Sequence, residues 1–152
     1  SCLPPGIIGI ALTGVPFYNG FDEGGRDAVA HEIQDDCDGH PQQQGQYHYH
    51  SVSDCVDTKP DEAGHPALIG YALDGFGIYA ANTGSATLKT ADLDECHGIV
   101  SEVVWDGAVV TMYHYVATAD FPYTMGCFRG TPVQSNAGPP ADGGTRPPPR
   151  RP

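Results

Sequence analysis

The chain has 152 residues and a formal net charge of −12, with Gly 20, Pro 14 and 39% hydrophobic residues. That is one domain's worth of sequence, and its composition favours short strands and turns over long helices. The body through Gly130 carries 4 basic and 18 acidic residues, so it repels phosphate backbones and excludes nucleic acid as a natural partner. No window reaches the 18 or so consecutive apolar residues of a membrane span.

The chain opens at Ser1 without an initiator Met, which predicts that an upstream segment has been removed. Ile7 to Leu12 reads as an apolar strand that turns through Thr13-Gly14-Val15-Pro16 into Phe17-Tyr18-Asn19. GFDEGGRD (20–27) is a glycine-rich acidic loop whose Asp22, Glu23 and Asp27 lack the full calcium-loop spacing. Asp27 to Cys37 suits a short helix or an irregular segment, with Asp27 as a candidate N-cap. His31 and Glu32 are neighbours in sequence, and adjacent side chains rarely aim at one point, so both are assigned structural roles.

GQYHYHS (45–51) concentrates two imidazoles and two phenols. In an extended strand, alternate side chains point to opposite faces, so His48 and His50 share one face while Tyr47 and Tyr49 share the other. Two imidazoles aimed at one point suit zinc or copper. Two histidines satisfied by ordinary hydrogen bonds, with the tyrosines packed beneath, are the plainer alternative.

Further along, Ala67–Leu73 and Phe76–Ala80 flank Asp74-Gly75, a hairpin signal of the type I′ kind. Ala91–Glu95 suits a single helical turn. Glu102–Trp105 and Ala108–Ala117 around Asp106-Gly107 form the clearest hairpin, with His114 on the face of Val110, Met112 and Val116. The folded domain is expected to end at about Gly130. Residues 131–152 form a Gly/Pro/Arg-rich tail of polyproline-like composition.

Cys37 and Cys55 bracket the first His/Tyr stretch, and Cys96 and Cys127 bracket the second. Disulfides Cys37–Cys55 and Cys96–Cys127 are therefore expected, together with an oxidising, extracellular or periplasmic compartment. Other pairings remain open. Cys2 is left over for an upstream cysteine, another subunit or a lipid. The two stretches echo each other loosely, CDGH before YHYH and CHG before YHYV, with unequal spacings that do not amount to a repeat. They gather His40, His48, His50, His97 and His114 as candidate ligands.

CDGHPQQQGQYHYHS, GHPALIGYALDGFGIYA, LDECHG and MYHYVATADFPYTMGCFRG together resemble the YHYH-domain family, a group of mostly exported proteins. The resemblance spans roughly Ile7 to Gly130. Family members often show a second YHYH where this chain has Tyr113-His114-Tyr115-Val116. The expected molecule is thus a mainly-β, disulfide-stapled domain of short antiparallel strands, hairpins and long loops.

Its expected property is divalent copper or zinc binding, with His48, His50 and His114 as ligands and His40 or His97 as a fourth or supporting group. Calcium fits less well. One alternative is an extracellular self-assembling module that joins copies of itself through Cys2 or the Pro-rich tail. Another is a hydrolase in which Asp74, Asp94 or Glu95 orients an imidazole.

Overall fold

The computed structural model describes residues 3–42 and 45–133. Cys2 and all but the first three residues of the Gly/Pro/Arg-rich tail lie outside them. One eight-stranded sheet organises the domain: β1 (Ile7–Ala11), β2 (Pro16–Tyr18), β3 (Gly39–Pro41), β4 (Tyr47–Tyr49), β5 (Leu68–Ala72), β6 (Gly77–Ala80), β7 (Gly98–Trp105) and β8 (Ala108–Ala117). A single helical turn, α1 (Ala28–His31), precedes β3, and Asp27 accepts a hydrogen bond from the Ala30 amide as its N-cap.

The spatial order is β3-β4-β2-β1-β5-β6-β8-β7. Most neighbours are antiparallel, as the short hairpins predict. However, β2 with β4 and β6 with β8 run parallel, because each outer hairpin docks by its second strand.

This order reads as two copies of one four-strand unit meeting at β1 and β5. In the first unit Ile7 pairs with Tyr18, and Gly9 with Phe17 across a bulge. In the second, Leu68 pairs with Tyr79, and Gly70 with Ile78 across the same bulge. Phe17 faces Tyr49 across the parallel pair, as Ile78 faces Tyr115. The repeat that unequal spacings concealed in the sequence is therefore present in the strand register. IIGIALTGVPFY (7–18) and LIGYALDGFGIY (68–79) are its matching sequences.

The turn chemistry repeats as well. Ala11 N–H donates to Val15 O, and Ala72 N–H donates to Phe76 O, each closing a three-residue loop. Only the glycine of each loop, Gly14 or Gly75, has positive φ. Asp74-Gly75 thus makes a three-residue loop ending in a left-handed glycine. The expected type I′ turn would need both central residues at positive φ. Asp106 and Gly107 do have it, at φ 49° and 76°.

The outer hairpins are clamped identically. Asp35 Oδ1 accepts from the amides of Cys37 (2.9 Å) and Gly39 (3.2 Å) and from the Tyr47 hydroxyl (2.8 Å). Asp94 Oδ1 accepts from Cys96 N (3.0 Å), Gly98 N (2.9 Å) and the Tyr113 hydroxyl (3.1 Å). A Cβ at Gly39 or Gly98 would collide with the phenol of Tyr47 or Tyr113, so each strand must begin with glycine. Disulfides join Cys37 to Cys55 and Cys96 to Cys127, tying each hairpin to the loop that follows it.

The core is shared between the units. Ile8, Phe17, Ile69, Ile78 and Tyr115 are wholly buried, each side chain contributing about 1.5–3 kcal/mol of hydrophobic stabilisation.

Candidate metal centre

The first unit's hairpin carries the imidazoles. His40 on β3 lies directly opposite His48 on β4, and His50 follows just past the strand end. Their ring centroids are 4.3 Å (His40–His48), 4.7 Å (His48–His50) and 5.3 Å (His40–His50) apart. His48 and His50 are each only 3% exposed. Glu32 completes the group: His40 Nε2 stands 2.6 Å, and His50 Nε2 3.1 Å, from its Oε2. One ligand atom from each of Glu32, His40, His48 and His50 falls within 4.8 Å of every other.

Hydrogen bonding fixes the tautomers. His48 Nδ1 lies 3.1 Å from the Gln46 carbonyl, and His50 Nδ1 2.6 Å from the Asn19 carbonyl. A carbonyl oxygen only accepts, so both Nδ1 atoms carry hydrogen and both neutral rings present a bare lone pair at Nε2. Those two Nε2 atoms face each other at 3.0 Å. Two lone pairs at that distance repel unless a cation sits between or beside them. Ring N–H groups anchored on carbonyls are also the usual outer support of metal-bound histidines.

Glu32 Oε2 and His40 Nε2 tell the same story. Their separation is that of an ion pair, yet both atoms are buried without a properly directed hydrogen bond. A buried carboxylate oxygen and imidazole nitrogen without such a bond are each short of a partner, which a cation would supply.

Burial, joined by repulsion from the neighbouring His50 and His40, pulls His48 down to about 4 against the opposing Gln46 hydrogen bond. Burial likewise lowers His50. Both rings are therefore neutral, metal-competent ligands near pH 7. Tyr18 stacks on His48 at 4.0 Å and donates its hydroxyl to Gln46 Oε1 (2.9 Å). The four candidate ligands line a pocket of about 620 Å³ whose rim includes Phe21, Arg26 and Gln42.

His114 and His97 do not join this cluster. His114 sits on β8, five strand positions from β4, which at about 4.8 Å per strand is roughly 24 Å. Its Nδ1–H donates to the Met112 carbonyl (3.1 Å), and its ring meets Tyr79 edge-on at 5.0 Å. His97 takes the left-handed turn position (φ 69°) that Asp38 (φ 58°) takes in the first unit. Its Nε2–H donates to Thr118 Oγ1 (2.9 Å), whose own hydrogen goes to the Asp120 carbonyl.

Glu32 corrects the structural role assigned to it from its place beside His31. It caps α1 with extended backbone (φ −99°, ψ 146°), which turns its side chain towards β3. The carboxylates named for a hydrolase are engaged elsewhere: Asp74 accepts from the Tyr115 hydroxyl (2.6 Å) and Asp94 from the Tyr113 hydroxyl. Among the described residues Glu95 pairs with Arg129, at 3.9 Å.

Fold and site together define a disulfide-stapled β domain of duplicated architecture, with a three-histidine, one-glutamate cluster in one half. The sequence model of the family described as YHYH protein matches residues 4–89, a span that holds β1 to β6 and all four cluster residues. The chain belongs to that family. No curated protein and no solved structure matches it.

Proposed function

We propose that this is an exported metal-binding domain holding one divalent copper or zinc ion on Glu32, His40, His48 and His50. The observation that carries this reading is the 3.0 Å approach of the His48 and His50 Nε2 atoms, in rings whose Nδ1 atoms both lie against carbonyl oxygens. Burial disfavours a proton there, and a transition metal supplies the missing positive charge. Three imidazoles and one carboxylate suit copper or zinc, whereas calcium requires an all-oxygen shell. Two disulfides and the family resemblance are compatible with an extracellular or periplasmic location. Among the described residues no helix is long and apolar enough to cross a membrane.

The test is elemental analysis of untagged protein before and after equilibration with copper or zinc. One ion per chain is expected, with affinity at least ~100-fold weaker in His48→Ala/His50→Ala. Absence of stoichiometric metal, or undiminished binding by the double variant, refutes the assignment.

A second reading, self-assembly through a sheet edge, draws on β7. This outermost strand runs eight residues without Pro or Lys and leaves Val100 61% exposed. Light scattering that shows only monomers at high concentration would dispose of it.

A further inference from the structure

We infer that the centre is a tetragonal copper(II) site with one coordination position open to the pocket, where a small exogenous donor binds. This rests on the metal-binding reading above and specifies the ion and its accessibility.

The ligand atoms form a chain, His40 Nε2 to Glu32 Oε2 to His50 Nε2 to His48 Nε2, with successive separations of 2.6, 3.1 and 3.0 Å. Four donors placed tetrahedrally at zinc's usual bond length would stand about 3.3 Å apart along every edge. Donors at adjacent corners of a square about the same ion would stand about 2.9 Å apart. All three observed separations fall below the tetrahedral edge and scatter around the square one. Copper(II) and nickel(II) prefer such nitrogen-and-oxygen squares, and affinity across the divalent series peaks at copper.

The open position follows from where the ligands come from. Three are supplied by one hairpin and the fourth by the segment just before it, and all four line the same pocket. Gln42 and Arg26, the latter held by Asp22 at 2.7 Å, also line that space, together with Glu23. An incoming water-sized donor would therefore meet hydrogen-bonding groups beside the ion.

The experiment uses the untagged full chain in three preparations. With one equivalent of copper(II), electron paramagnetic resonance should give an axial spectrum with coupling to several imidazole nitrogens. With cobalt(II), visible absorption should be weak, as for five or six ligands. Azide added to the copper form should raise a saturable charge-transfer band. Intense tetrahedral cobalt bands, or a copper form indifferent to azide, would overturn the inference while leaving metal binding intact. Failure of every ion to bind would remove both.

Discussion

His48 and His114 occupy equivalent places in the two units, and each donates Nδ1–H at 3.1 Å to the carbonyl two residues before it. What differs is the company. The cross-strand partner of His48 is His40, but that of His114 is Ile99. The position after the strand's second tyrosine is His50 in one unit and Val116 in the other. One unit thus keeps an imidazole cluster, while at the equivalent place in its counterpart His114 stands without another imidazole beside it.

This contrast predicts opposite outcomes for two matched substitutions. His48→Ala should abolish stoichiometric metal binding. His114→Ala should leave stoichiometry unchanged while lowering stability by about 2–4 kcal/mol, as for other buried large-to-small changes. Metal titration and urea denaturation of both variants read the two effects separately.

The clamping aspartates extend the comparison. Asp35→Ala and Asp94→Ala each remove the acceptor of two amides and a phenol, and each should lower the urea midpoint of unfolding. Only Asp35→Ala should also weaken metal binding, because it loosens the hairpin bearing His40 and His48. Equal metal affinity in the two variants would mean that the clamp does not position the ligands.

Disulfide removal should divide in the same way. The bridges close loops of 18 and 31 residues, and by loop entropy each is worth about 3 kcal/mol. Cys37→Ser/Cys55→Ser should lower both melting temperature and metal affinity. Cys96→Ser/Cys127→Ser should lower the melting temperature alone.

Acid should destabilise the metal-free domain through His97. Burial holds its folded-state pKa at about 4, below the ordinary 6.5. The unfolded chain therefore takes the proton first. The neutral ring's contribution is complete above about pH 6.5 and shrinks as pH falls towards 4, a change on the order of 3 kcal/mol. His97→Gln should flatten the slope of unfolding free energy across that interval by about one proton; an unchanged slope would rule out this assignment.

Much of this was legible in the residues. Alternation in YHYH placed His48 and His50 on one face, and the glycine-centred turns located the hairpins. The repeat was harder to see, because its halves are offset by 61 residues at the inner hairpin (Ile7 to Leu68), 59 at the start of the outer one (Gly39 to Gly98) and 66 at its second strand (His48 to His114), the second unit carrying longer outer strands. That same hidden duplication made His114 resemble a ligand: its local sequence is that of His48, yet sheet order sets them far apart. Glu32 read as structural beside His31 because its aim depends on how α1 ends, a feature of backbone angle and not of residue spacing.

Diffraction at the metal's absorption edge from crystals grown with copper or zinc would locate the ion outright. One ion is expected, bonded at about 2.0–2.2 Å to Glu32 Oε2 and to Nε2 of His40, His48 and His50. A metal found elsewhere, or a metal-saturated crystal in which His48 and His50 still face each other with nothing bound, would contradict it.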